Sequence, residues 1–452
     1  GAPLSFSDVD IAIINDFSKE SHQFHIKLNL PKTLGDSLRL SLDLTGDIFT
    51  SGGVNGLLYA EGGNVHLADL LKGQLSKDFF ISSGSSDFRL WGDWQKSKLI
   101  SVAGYIHFSK TEINRLDKMV LPVDELSGWF RWKRLEDQWR IDVNRFILDT
   151  GDKKWPETDF SILVRGNENV LAQKVGVSLS AMNLDEFARL ALFLAPLNIE
   201  PLEEIKKFAP KGEIENLSLF IDAEARKFAV NGHVRGLSVM PVGSVPGTKN
   251  LSDHIKGTDQ NGHLTLTTEN AELTFTGLFR GPLSFKEIQG DIEWQQKESG
   301  LLLSSEKLVV NSPDVKTLNR LEIKIPEDES PVFMDLQSYF FDVERTQVSP
   351  YLPTGIMDEE VVDWLDKAFV SGKGKVPRGG LLVYGDLRDF PYTEGNGVFE
   401  VLFNAKDVEL AYFPGWPHFT GLDLEVLFLS DGMEVVAEEW KLFGANINYT
   451  RA

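Results

Sequence analysis

The 452-residue chain contains no cysteine, which removes disulfides, thiolate nucleophiles and cysteine-based zinc or iron–sulfur sites. No apolar run approaches the ~18 residues of a membrane-spanning helix. Positive charge is short: 46 Lys and Arg against 67 Asp and Glu leave a net charge of −21. Such a surface repels a nucleic-acid backbone or a bare anionic membrane, so no nucleic acid is expected as a partner. Lipid is not excluded, because a molecule held by its acyl chains needs no basic patch, and a charged outer face keeps an apolar groove in solution. The start, Gly1-Ala2-Pro3-Leu4, has neither an initiator Met nor a signal-like segment. It reads as a piece of a longer protein whose anchor would lie elsewhere.

Catalytic constellations are missing as well. His22 and His25, three apart in a strand-like segment, fall on opposite faces and not on the shared face a metal site needs. The carboxylates mostly alternate with apolar residues, the pattern of a solvated strand face, and no acid–base pair stands out. Gly372-Lys373-Gly374-Lys375 follows a predicted helix where a phosphate loop precedes one, so it reads as a helix cap and turn. No Gly-x-Ser-x-Gly elbow occurs. Trp91, Trp94, Trp129, Trp132 and Trp139 are compatible with a sugar platform, but aromatics at strand spacing more often fill a curved sheet. Neither an enzyme nor a cofactor is expected.

What the chain has instead is alternation. Leu38, Leu40, Leu42 and Leu44 alternate with Arg39, Ser41, Asp43 and Thr45. The same period marks Leu217 and Leu219, Leu264 and Leu266, Leu321, Ile323 and Ile325, Phe399, Val401 and Phe403, and Leu422, Leu424, Val426 and Phe428. Successive strand side chains point to opposite faces, so each segment has one apolar and one wet face. Gly (39) and Pro (19) supply the turns between many short strands.

Helical patterns are few. Leu184 to Leu194 predicts a helix, capped by Asn183 and apolar nearly all round. A second begins at Pro201, with Leu202, Ile205 and Phe208 on one face. A third spans Met357 to Ser371, with Val361, Trp364, Leu365 and Ala368 on one face. Val65 to Lys72 suggests a helical turn, and Pro241 to Gly262, without clear period, a loop. Leu273 to Phe279, Leu301 to Leu303 and Leu308 to Val310 read as separate strands. The division is therefore 1–180, 213–348 and 375–452 as β segments, with helical insertions at 181–212 and 349–374. A doubly wound α/β fold would place a helix after nearly every strand, and this chain does not.

Several segments together resemble the YhdP family of AsmA-like proteins, relatives of TamB. Ser349-Pro350-Tyr351-Leu352-Pro353, Trp364-Leu365, Leu382-Val383-Tyr384-Gly385-Asp386-Leu387 and Asp389-Phe390-Pro391-Tyr392 carry the likeness. It continues through Gly395, Gly397-Val398-Phe399, and Leu410-Ala411-Tyr412-Phe413-Pro414-Gly415-Trp416-Pro417 to Leu422–Phe428 and Gly432. Leu30-Pro31, Leu34-Gly35 and Leu90-Trp91-Gly92-Asp93-Trp94 extend it upstream. Physically these motifs read as strand corners, with Trp416 packing over one edge.

The resemblance implies an elongated, curled antiparallel β-sheet, a β-groove or β-taco with an apolar concave interior and two small helical insertions. It further implies a periplasmic protein anchored in the inner membrane by an N-terminal helix absent here. Its cargo would be phospholipid, the acyl chains lying in the groove, with inner- and outer-membrane components as partners through regions outside this chain. The groove-lining residues would be the alternating apolar positions named above. A β-helical polysaccharide-binding or -processing protein and a structural or adhesive rod are the alternatives.

Overall fold

The computed structural model describes residues 5–452 except 17, 48–52, 67, 69–78, 97, 116, 118, 167–173, 195–206, 244, 344–348, 369–373, 412–414 and 443. It is mainly β and antiparallel, with two α-helices among the described residues. The chain divides into two compact units, Gly1–Leu202 with Ile214–Val230, and Glu203–Glu213 with Asn231–Ala452.

The first unit holds β1 (Ser7–Asp16), β2 (Ser21–Asn29), β3 (Ser37–Thr45), β4 (Asn55–His66), β5 (Phe79–Gln95), β6 (Lys98–Arg115), β7 (Val120–Leu135), β8 (Gln138–Asp149), β9 (Thr158–Arg165) and β10 (Lys174–Asn183). Each pairs with the next in the chain. Short turns make that the only cheap connection. After α1 (Leu184–Leu194), β11 (Lys211–Asp222) and β12 (Lys227–Val239) contain the division.

The second unit continues with β13 (Gly247–Thr258), β14 (Asn261–Thr274), β15 (Leu283–Lys297), β16 (Gly300–Asn311), β17 (Lys316–Pro326) and β18 (Phe333–Val343). Helix α2 (Glu359–Ala368) precedes β19 (Lys375–Asp386), β20 (Val398–Leu410), β21 (Phe419–Leu429), β22 (Gly432–Leu442) and β23 (Ala445–Arg451). From β13 on, chain neighbours again pair.

The long strands are bent by β-bulges. Register shifts in the ladders coincide with left-handed residues at Asn64 (φ 47), Arg145 (φ 53), Asn250 (φ 59) and Asp407 (φ 53). Asn and Asp tolerate that conformation better than most side chains. An acceptor on the adjoining strand takes up each bulge N–H. The Asn64 N–H donates to Asp87 Oδ1 (2.9 Å), Arg145 to Asp159 Oδ1 (2.7 Å), Asp407 to Asp423 Oδ1 (3.0 Å) and Asn250 to Ser238 Oγ (3.2 Å).

The bulges explain where alternation misleads. Pro241 to Gly262 is no loop, because most of it forms β13, whose bulge at Asn250 breaks the period of two. Leu301–Leu303 and Leu308–Val310 are one strand, β16, interrupted by a bulge between Ser305 and Leu308. The strand predicted to Phe279 ends at Thr274, and Val65 and His66 are strand, ending β4. Of the remainder of that predicted turn only Ala68 is described, and most of the helix predicted from Pro201 lies outside the described residues.

Helix α1 spans Leu184–Leu194 as its pattern predicts, but it is not buried all round. Phe193 and Glu186 are buried while Phe187 is exposed. Phe193 packs with Leu121, Val123, Leu148, Trp155 and Met182. The Arg115 guanidinium donates to the Leu192 and Phe193 carbonyls, both at 2.9 Å, and pairs with Asp117. It thus caps acceptors that the helix end leaves free.

Helix α2 begins later than predicted, with the Glu360 N–H donating to Asp358 Oδ1 (2.8 Å). Its buried face is Val362 and Leu365, whereas Val361 is exposed. Arg280 holds it through Asp366. Nearby the Gly355 N–H donates to the Leu278 carbonyl (3.1 Å). A Cβ at Gly355 would sit 1.6 Å from the Gly277 carbonyl oxygen, so only glycine permits this approach.

Candidate functional site

In an antiparallel ladder directly paired residues share a sheet face, so the register shows what the alternating residues build together. In the first unit Ile11, Ile26, Leu40, Ala60, Leu90, Gly104, Phe130, Val143, Phe160 and Leu179 are paired in succession from β1 to β10. A parallel row runs Ile13, Phe24, Leu42, Leu58, Gly92, Val102, Trp132, Ile141, Ile162 and Val177. Neither row contains a side chain with a polar atom except the Trp132 indole. Leu38 and Leu44 flank them on the same face of β3, and all four β3 leucines are half-buried.

The second unit repeats the arrangement with the remaining residues. Leu321, Leu336, Val383 and Phe399 form one row. Leu266, Gly290, Leu308, Asn319, Ser338, Leu381, Val401 and Phe428 form the next, and Thr317, Phe340, Gly379, Phe403 and Val426 a third. Leu264 pairs with Ile255 and Ile292. Ile323 pairs with Leu303 and Met334, Ile325 with Leu301. Leu422 and Leu424 are buried beside Val426. In the part of β11 that belongs to the first unit, Leu217 and Leu219, two apart, share a face and are half-buried.

Polar groups on this face of the second unit mostly turn to backbone. Asn319 Nδ2 donates to the Leu308 carbonyl (2.9 Å) and Thr317 Oγ1 to that of Val310 (3.1 Å). The opposite face is charged in both units. Glu61 accepts from Arg89 and lies 3.9 Å from Arg39, Thr265 Oγ1 donates to Asp291, and Arg320 pairs with Asp335.

The tryptophans split between the faces. Trp94, Trp132 and Trp139 share the apolar side, paired with Gly56, Ile141 and Val164. Trp91 and Trp129 do not fill the interior: they are exposed on the charged face, against Tyr59 and Tyr105 at 5.5 and 5.3 Å between centroids. Alternation alone cannot distinguish a one-position offset. Trp416, expected to pack over an edge, is exposed, and the rest of its corner at 412–414 lies outside the described residues.

The Asp389-Phe390-Pro391-Tyr392 motif is architecture. Tyr392 is buried, its ring lying where a Cβ on Gly385 or Gly397 would clash, at 2.7 and 2.5 Å. Phe390 bridges edge-on to Tyr392 and Phe399. The glycines of the motif are thus sockets for a tyrosine.

His22 pairs with Asn15 and Leu44, while His25 pairs with Ala12 and Ser41, on opposite faces. Among the described residues no three His, Asp or Glu are grouped to hold a metal ion, and no helix is long and apolar enough to cross a membrane. Sequence reasoning missed how the strands register into rows, and it missed Asp253 among them. The available signal was Asn or Asp inside a strand at a parity break, as at Asn64 and Asn250.

Residues 8–452 match the family model described as YhdP protein. The chain belongs to the YhdP family. It is 26% identical over 340 residues to the intermembrane phospholipid transporter YhdP of Escherichia coli (strain K12). That alignment covers 74% of this chain and 26% of the relative, so the chain spans about a quarter of that relative's length. No solved structure matches it.

Proposed function

We propose that this chain is a segment of a periplasmic, non-enzymatic bridge that carries phospholipid between inner and outer membranes, its apolar rows serving as the track for acyl chains. The observation that carries this reading is the pair of uninterrupted rows across β1 to β10. Exposing a 16-carbon acyl chain to water costs roughly 13 kcal/mol at about 0.8 kcal/mol per methylene. A continuous hydrocarbon surface removes most of that cost. Sliding also needs a landscape without deep wells, and Leu, Ile, Val and Phe in succession provide one.

The family relation and the relative's printed function support the same reading. The groove segments 1–180, 213–348 and 375–452 would share the track, with 181–212 and 349–374 as insertions at its border. Mass spectrometry of lipid extracted from the purified chain tests it. Diacyl phospholipid at a reproducible stoichiometry is the expected result; a lipid-free protein that also takes up none from vesicles defeats the proposal.

A further inference from the structure

Three inner-face side chains keep a buried polar atom without a hydrogen-bond partner among the described residues, Ser86 and Ser305 through a hydroxyl and Asp253 through a carboxyl oxygen, and of these Asp253 alone is an acid. Asp253, mid-way along β13, pairs directly with Leu266, and its neighbour in the same orientation, Ile255, pairs with Leu264. Leu266 and the partly buried Leu264, Leu251 and Ile292 belong to one apolar cluster. Asp253 is 8% exposed, and its Oδ1 meets no hydrogen-bond donor among the described residues. Among the described residues no ion pair reaches it either, and burial lifts its pKa to about 6.

Thr268 shows what satisfaction looks like at this depth, with its hydroxyl donating to the Ser252 carbonyl at 2.7 Å. A buried carboxyl without a partner is costly, and proteins normally pair it or remove it. A partner arriving along an apolar face must bring hydrocarbon and a cationic donor in one molecule. An amine-bearing phospholipid does so, whereas a purely anionic one brings only like charge.

We propose that Asp253 is a headgroup-discriminating station on the apolar face of the second unit, accepting the ammonium of a zwitterionic amine phospholipid and disfavouring an anionic one. The assignment rests on the lipid-track reading above. It adds selectivity to a surface otherwise indifferent to what it carries.

The test is a competition. The purified 452-residue chain, Asp253→Asn and Asp253→Leu are each incubated with vesicles of equimolar phosphatidylethanolamine and phosphatidylglycerol, and bound lipid is quantified by mass spectrometry. The native protein should enrich phosphatidylethanolamine about fivefold, the ratio from a modest charge-assisted contact. Both variants should fall to near the vesicle ratio with total lipid unchanged. Lipid bound without enrichment by the native chain overturns the station and leaves the track standing, as does enrichment that survives in both variants. No lipid of either class on the native chain overturns the track and the station together.

Discussion

The two units use the same ladder to make different surfaces. In the first, both rows from β1 to β10 are hydrocarbon apart from one indole. In the second, Thr317, Asn319, Ser338 and Asp253 stand in or beside the equivalent rows. Of these, Thr317 and Asn319 return their hydrogen bonds to backbone carbonyls, whereas Asp253 Oδ1 finds no donor among the described residues. On the proposed lipid track, the two rows of the first unit would be the more uniform path, and the rows of the second would carry places to pause.

The largest effect should come from charging the featureless path. Leu40→Asp puts a carboxylate into a row with no polar atom near it, which costs several kcal/mol in lipid contact or in local packing. Bound lipid should fall more than about tenfold. Val401→Asp, in a row that already holds Asn319 and Ser338, should lose less; equal losses would erase the distinction between the units. Leu266→Asp, Ile323→Asp and Val426→Asp extend the series through the second unit.

Tyr392→Ala should follow in size. Emptying a socket whose ring is 1% exposed costs about 3–5 kcal/mol, read as a lowered denaturant midpoint. Hydrogen exchange should show protection lost in β18 to β20 and kept in β2 to β9, if the units answer separately.

Asp253 gives the second unit a pH dependence that its apolar partner positions cannot. Its folded pKa of about 6 lies above the ordinary aspartate value of 3.8, so the native state holds the proton more tightly than the unfolded chain. Its penalty is absent below about pH 4, grows as pH rises through the folded pKa, and is complete above about pH 7. Asp253→Leu should accordingly stabilise the protein by about 2–3 kcal/mol at pH 8 and by almost nothing at pH 4, measured by urea unfolding at both.

The helix anchors give the smallest contrast. Arg115, 8% exposed, holds two carbonyls of α1, and Arg115→Ala should cost about 2 kcal/mol. Arg280 holds α2 from a more open position, where solvent competes for the pair. Arg280→Ala should therefore shift the unfolding midpoint much less. Equal shifts would mean that α2 is fastened as firmly as α1.

Much of this was legible in the residues. Alternation located the β3, β17 and β21 strands, and the Asn183 cap with the apolar run after it located α1. Missing were the features set by pairing. Nothing in Trp91 or Trp129 tells which face of the sheet is dry, because that depends on which residue sits opposite. Nothing in Pro241 to Gly262 shows a strand, because the bulge at Asn250 shifts the period half-way. The α2 face was misjudged at Val361 because the docking surface comes from Arg280 and its loop, some 80 residues earlier in the chain.

The bulges carry one more consequence. A strand whose inside and outside alternate behaves like a message read in twos, and Asn64, Arg145, Asn250 and Asp407 are the places where the frame is reset. Deleting one codon within β3 would turn its leucines to water, while deleting two would merely shorten it. Deleting a reset residue would leave one arm of the strand correct and invert the other. The tolerated insertions and deletions in such a protein should therefore come in even numbers within strands and in any number at the turns.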